Sequence, residues 1–384
     1  MSDASTISIA IVINSLQSGG AERQLLRMLS CLDPVPFKVK LFPLRPGGIL
    51  KGAFSEQGML VTEGSGGRIS NLVSLANEIR KNRPLVHCFL PEAYLLGSGV
   101  GMVCGATACI MSRRSRNHYQ SRHPVAATVE RRLHRHMDAL IGNSRAVVQD
   151  LLDEGAPPDR VRLIYNGIDA ERFAMGVERQ ELRRVLRDQL SVPDDRVVIT
   201  CVANLFPYKG HADLLDAFPL LGAGVATRTT LLLIGRDAGS RAALEAQAAR
   251  LGLSASVRFL GERNDVTDLL AASDIGVLAS HEEGFSNAVL EGMAAGLPMV
   301  VTDVGGNAEA VIDGECGYVV PARAPADLAL ALGNLIGDAD RRQAMGTAAR
   351  RRVAASFSLD TCVAAYAALY EELWDRRPNA ARQP

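Results

Sequence analysis

The sequence has no excess of either charge. Its 42 lysines and arginines stand against 42 aspartates and glutamates, so nothing global draws it to nucleic acid or to a membrane. Cysteine is sparse, seven in 384 residues, with no CxxC spacing. Cys88, Cys104, Cys109, Cys201, Cys316 and Cys362 fall in apolar stretches and Cys31 ends a helix, which argues against a disulfide framework and implies small buried hydrophobes in a reducing cytosol. No basic residue precedes the first apolar run, Ile7 to Asn14, so it reads as a buried strand and not as a signal peptide. Long hydrophobic runs are missing too. Ala93 to Ser112 carries no charge, yet Gly97, Gly99, Gly101 and Gly105 keep its hydrophobicity modest; it reads as a buried helix followed by a strand at Ala108 to Met111. The one Asp-x-Asp, Asp338-Ala339-Asp340, lies at a helix junction and reads as capping, so no metal site is expected.

What is present is enough apolar residue, 47%, to bury two cores, in a chain too long for one average domain. Short apolar runs alternate with helical patterns: Ile7 to Asn14, Val39 to Pro43, Met59 to Val61, Leu85 to Phe89, Ala108 to Met111, Ala139 to Gly142 and Val161 to Ile164. A second series follows at Val197 to Val202, Thr230 to Ile234, Val257 to Leu260, Ile275 to Leu278, Met299 to Thr302 and Tyr318 to Val320. This alternation predicts α/β architecture with two doubly wound parallel sheets. Asp169 to Asp195 is charged and poorly periodic, and the linker is expected there. Ligands of such sheets bind beyond the carboxyl ends of the strands.

One stretch concentrates the chemistry, ASHEEGFSNAVLEGMAAGLPMVVTDVGGN from Ala279 to Asn307. Glu283 and Glu291 flank a Gly284-Phe285-Ser286-Asn287 loop and the start of a helix whose apolar positions are Ala288, Val289, Met293 and Ala294. A strand that ends in a loop and restarts as a helix aims backbone N–H groups and a positive dipole end at one spot, which suits phosphate. Ser286 is the expected N-cap, and two carboxylates so placed would accept hydroxyls at the two ends of one ligand: a sugar, a diphosphate and a ribose. Gly19 and Gly20 form a turn after the first strand. Lys209, before Gly210, follows the first strand of the second series, while Gly235 and Arg236, then Gly261, follow the next two. Arg113, Arg114, Arg116, His118, Arg122, His123, Arg131, Arg132, His134 and Arg135 make a basic stretch against the single acid Glu130. Arg113 and Arg114, just after a strand, suit an anionic acceptor.

EEGFSNAVLE, followed by GMAAGLPMVVTDVGG, resembles the Glu-x7-Glu motif of the retaining glycosyltransferases of family 4, and the resemblance extends along almost the whole chain through SGGAER, IGNSRAVV, IYNGID and the Lys209-Gly210 pair. It implies the GT-B fold, two Rossmann-like domains with an interdomain cleft: an acceptor-binding domain at 1–175, a donor-binding domain at 176–357, and a terminal helix at 358–384 crossing back to the first. It implies that Glu283 contacts the transferred sugar, that Lys209 and the Gly19-Gly20 loop hold the diphosphate, that Glu291 holds the ribose, and that Gly235, Arg236 and Gly261 line the nucleobase. The remaining donor contacts would come from Gly284, Phe285, Ser286, Asn287 and Ala288. Two positions depart from the pattern. Asn204 stands where the family carries an arginine, and the strand at Ala108 to Met111 is followed by Ser112 and Arg113 where many members have a histidine; Ser112, Arg113 or His118 would substitute there. The activity implied is transfer from a nucleotide sugar, by family frequency a UDP-sugar, to a glycan or lipid-linked glycan of bacterial surface polysaccharide. No cofactor, metal or nucleic acid is implied; the setting is cytoplasmic, with peripheral contact at the inner face of the plasma membrane. A nucleotide-sugar epimerase and a non-catalytic nucleotide-sugar-binding subunit are the alternatives.

Overall fold

The computed structural model describes residues 6–17, 19–63, 66–173 and 176–377. They divide into two compact units, Met1–Gly167 with Leu359–Pro384, and Ile168–Ser358. The first is built on strands β1 (Ile7–Ile13), β2 (Phe37–Pro43), β3 (Leu60–Val61), β4 (Leu85–Phe89), β5 (Ala108–Arg113), β6 (Ala139–Gly142) and β7 (Val161–Leu163). All pair in parallel, in the order β3-β2-β1-β4-β5-β6-β7. Helical crossovers bury both faces of a parallel sheet, which is why these strands read as near-continuous aliphatic runs. On one face the sheet packs against Leu25, Met28 and Leu29 of the Gly20–Ser30 helix and Tyr366, Leu369 and Tyr370 of the terminal Leu359–Asp375 helix. On the other it meets Leu75, Ile79, Tyr94 and Leu151.

The charge-free stretch forms the helix Pro91–Cys104 and then β5. Its glycines are a packing device: a Cβ on Gly97 would lie 2.8 Å from Cys88 Sγ, and one on Gly101 2.8 Å from Cys109 Sγ, so glycine lets this helix sit close on β4 and β5. No helix among the described residues is long and apolar enough to cross a membrane.

The second unit carries β8 (Val197–Val202), β9 (Thr229–Ile234), β10 (Val257–Gly261), β11 (Ile275–Leu278), β12 (Met299–Thr302) and β13 (Gly317–Val320), again parallel, in the order β10-β9-β8-β11-β12-β13. The stretch expected as a linker, Asp169 to Asp195, instead contains a helix, Val177–Gln189. Arginines hold that helix beside a short apolar face of Leu182, Val185 and Leu186. Arg183 and Arg187 each reach one oxygen of Asp274 at 2.6 Å, and they donate to the carbonyls of Ala271, Ala272 and Ser273. Asp338 caps its helix by accepting from the Arg341 N–H, as its position in the sequence implies.

Candidate functional site

The order of the second sheet reverses direction between β8 and β11, and at such a point the loops leaving two adjacent strands part and open a crevice. Lys209 leaves β8 and Glu283 leaves β11, so the topology alone brings them together. Lys209 ends the short turn Pro207–Lys209, followed by Gly210 at φ +68°, where a Cβ would strike the Ala279 carbonyl. Only glycine lets this turn rest on the end of β11. Lys209 Nζ lies 2.5 Å from Glu283 Oε1, which also accepts from Ser280 Oγ at 2.8 Å. Burial works to lower the Lys209 pKa, but the charge and hydrogen bond of Glu283 outweigh it and hold the ammonium above the ordinary lysine range.

Neighbouring segments fix this pair. The His281 N–H donates to the Tyr208 carbonyl at 2.7 Å, and His281 Nε2 is 2.7 Å from Asp213 Oδ2, so the loop after β11 is tied to the Lys209 turn and to the helix His211–Ala217 that follows it. Thr302 at the end of β12 donates to the Ser280 carbonyl at 2.6 Å, and the Gly306 N–H donates to the Gly284 carbonyl at 2.8 Å. Ser286 stands at the N-cap of the helix Asn287–Ala294, but its hydroxyl makes no capping bond, contrary to the expected role. Asn287, Ala288 and Glu291 share the half-exposed face of that helix, while Val289, Leu290, Met293 and Ala294 face the core. Ala288, an expected donor contact, stands on that half-exposed face. Phe285 is buried with its ring 5.3 Å from that of Phe357, so it anchors the loop from below.

The turns after β8, β9 and β10 are knit together. Asn204 Oδ1 accepts from the Arg236 N–H at 3.0 Å, and the Gly235 N–H donates to the Gly261 carbonyl at 2.9 Å. A Cβ on Gly235 would meet the Ala203 carbonyl, and Gly261 holds φ +70°. Asn204 therefore orders the β9 turn from the position expected to carry an arginine. Arg236 is exposed and Arg263 pairs with Asp265.

In the first unit Gly19 and Gly20 begin the Gly20–Ser30 helix, and the Glu22 carboxylate folds back over Gly19. Burial raises the Glu22 pKa against a smaller opposing effect of its own backbone N–H. At the end of β5 the side chains turn into the unit. Ser112 is buried and bonds His87 Nε2 at 2.8 Å, while His87 Nδ1 meets the Tyr370 hydroxyl at 2.8 Å. Burial, helped by the charge of Arg114, pushes that imidazole down to about 3, so it is neutral. Arg113 does not face an acceptor. It is 4% exposed and grips Glu154 through two bonds of 2.6 and 2.8 Å, with Glu130 on its other side. Arg114 bonds Asn166 Oδ1 at 2.6 Å and the Tyr366 hydroxyl at 3.3 Å. These side chains serve the unit's interior because each cation stands within reach of a buried acceptor from a neighbouring helix or loop. The His118 side chain lies outside the described residues.

A profile of the glycosyl transferases group 1 family matches residues 183–352, and one of glycosyltransferase family 4 matches residues 18–172. The chain belongs to glycosyltransferase family 4. A relative in Corynebacterium jeikeium, named D-inositol 3-phosphate glycosyltransferase, is 34% identical over 273 residues, 69% of this chain and 64% of that protein. The chain thus spans less than two thirds of the curated relatives it matches first. Among solved structures, Anabaena HepE in complex with UDP superposes with a TM-score of 0.83 at 23% identity, over 95% of this chain and all of that one. HepE in complex with UDP-glucose gives 0.81 over the same share of each. These likenesses establish a GT-B fold of two Rossmann-like units.

Within this family 4 fold, sequence reasoning found the pair at the strand reversal but missed what holds it. Ser280, His281, Asp213 and Thr302 each had a signal. Ser280 and His281 lie within three residues of Glu283, Asp213 is one helical turn past Lys209, and Thr302 ends the strand beside β11. Glu154 had none, being 41 residues from Arg113.

Proposed function

We propose that the protein is a retaining glycosyltransferase that moves a sugar from a nucleoside diphosphate sugar to a hydroxyl of a glycan or lipid-linked glycan acceptor. The observation that carries this reading is Lys209 held 2.5 Å from Glu283 at the strand reversal of the second sheet. That unit, Ile168–Ser358, is the donor domain where the sequence suggested 176–357, and the first unit, which includes the terminal Leu359–Asp375 helix in its core, serves the acceptor. The ammonium has three N–H donors, so it can keep Glu283 and still donate to a phosphate oxygen. The dipole of the Asn287–Ala294 helix adds positive potential at the same place. Glu283 receives a sugar hydroxyl, and Glu291, one turn past Asn287 on the half-exposed helix face, the ribose.

In the step itself the bond from the anomeric carbon to the phosphate oxygen breaks, and its electron pair leaves with the diphosphate. The acceptor oxygen bonds to that carbon on the same face, and its proton passes to the leaving phosphate oxygen. Stabilising the diphosphate is the larger contribution. Lys209 and backbone amides supply it, so transfer proceeds without a divalent ion: EDTA leaves the rate unchanged, and loss of activity restored by Mn2+ would refute this. The HepE complexes support UDP as the nucleotide, and the relative's name supports a phosphorylated acceptor. A thermal-shift panel of nucleoside diphosphates tests the donor site, with UDP raising the melting temperature most. Glu291→Ala weakens UDP binding about tenfold or more, the scale of one hydrogen bond to a charged group. Unchanged affinity by titration calorimetry would remove Glu291 from the site.

A further inference from the structure

Glu283 has two carboxylate oxygens, and the loop treats them unequally. Oε1 accepts both from Lys209 Nζ at 2.5 Å and from Ser280 Oγ at 2.8 Å. Two donors fill the two lone pairs of that oxygen. Oε2 has no partner among the described residues, and it is not one of their buried unpaired atoms, so it stands open. An ammonium alone would not produce this asymmetry. Lys209 is a compact charge on a flexible stem, 18% exposed at the side chain, and a carboxylate can turn about its last bond to meet it with either oxygen or with both. A second donor at a fixed point removes that freedom.

Ser280 is such a point. It is fully buried and lies two residues past the end of β11. Its carbonyl accepts from Thr302 Oγ1 at 2.6 Å, and the Thr302 carbonyl accepts in turn from Asn307 Nδ2 at 3.1 Å. Leu278 pairs with Val301, so Ser280 and Thr302 leave neighbouring strands side by side, and both Thr302 and Asn307 are buried. The parallel sheet thus fixes the Ser280 backbone, and the hydroxyl reaches the carboxylate across the loop. We infer that Ser280 is a positioning residue, one that orients Glu283 so that Oε2 alone faces the substrate and accepts from one hydroxyl of the transferred sugar. This rests on the reading of Glu283 given above and deepens it in one respect. A carboxylate oxygen only accepts, so the site selects a sugar with an O–H at that position and turns away one with hydrogen or fluorine there.

The test is UDP release by the full chain from whichever of UDP-glucose, UDP-galactose and UDP-N-acetylglucosamine wild type turns over fastest. Ser280→Ala lowers kcat about tenfold or more, the scale of one hydrogen bond to a charged group, and leaves UDP affinity by titration calorimetry unchanged. Ser280→Cys, with a weaker donor on a side chain of similar size, falls between. Matching melting curves confirm that the variants are folded. The decisive measurement repeats wild type and Ser280→Ala with monodeoxy analogues of that donor. For the analogue lacking the hydroxyl that Oε2 receives, the two proteins have equal rates, because nothing is left to orient; for the others the loss persists. A serine that only braced the loop would cost the same with every analogue. Three results would overturn the inference: Ser280→Ala at the wild-type rate, an equal loss across all analogues, or a fall in UDP affinity that matches the fall in rate. Glu283→Gln, run alongside, separates the two readings. If it is slow while Ser280→Ala is not, this inference fails and the proposed function stands. If Glu283→Gln keeps the wild-type rate, or wild type turns over none of the donors, the proposed function fails too.

Discussion

Lys209→Ala or Glu283→Ala lowers sugar transfer by about a thousandfold, the upper range for removing one preorganised group that meets charge developing in a transition state. The two side chains are partners as well as reagents, so each single change leaves the other charge without its neighbour. They are 18% and 10% exposed, and the stability loss falls below the ~3–5 kcal/mol seen when a fully buried pair is broken. The double variant Lys209→Met with Glu283→Gln removes both charges and recovers most of that loss. It recovers none of the transfer. A pair that only braced two loops would behave in the opposite way, with activity returning alongside stability.

Arg113→Met destabilises the first unit by about 3–5 kcal/mol, because Glu130 and Glu154, each 2% exposed at the side chain, lose the cation between them. Acceptor affinity changes little in whatever fraction stays folded, since the guanidinium is turned inward. The effect depends on pH with a definite sign. Burial alone would raise the Glu154 pKa, but hydrogen bonds from His134 and Arg113, the Arg113 charge and a bond from Asn117 outweigh it and hold the carboxyl well below the usual carboxylate range. A carboxyl whose folded pKa is depressed adds stability above its unfolded value, near 4.5, and loses it as pH falls toward the folded one. The gap between wild type and Arg113→Met is therefore widest near neutrality and narrows below about pH 4. Urea melts at the two conditions measure it; a gap that widens in acid would reverse the assignment.

The contrast between these two sites explains what the sequence disclosed. Strands β4, β6, β8, β11 and β12 have the expected ends, because parallel strands buried on both faces leave unbroken aliphatic runs that stop where solvent begins. Lys209 and Glu283 were legible because topology does the work: a loop residue after each of two strands adjacent at a reversal has few other places to go. The Val177–Gln189 helix was hard to read because its apolar face is short, Leu182, Val185 and Leu186, and the arginines beside it that reach carbonyl oxygens and Asp274 register in sequence as solvated charge. Arg113 misled for a related reason. A basic residue after a strand looks like a ligand contact until Glu130 and Glu154 arrive from the Pro124–His134 helix and from just beyond the Arg145–Asp153 helix. Burial of ion pairs is a tertiary property. No local pattern announces it.

The most direct measurement is the rate of nucleoside diphosphate release from a nucleotide sugar by wild type and by the Lys209→Met, Glu283→Gln double variant, with melting curves taken on the same samples. The prediction is two melting temperatures close together and a rate about a thousandfold lower in the double variant. Equal rates, from two proteins folded alike, would contradict the claim that this pair carries the chemistry.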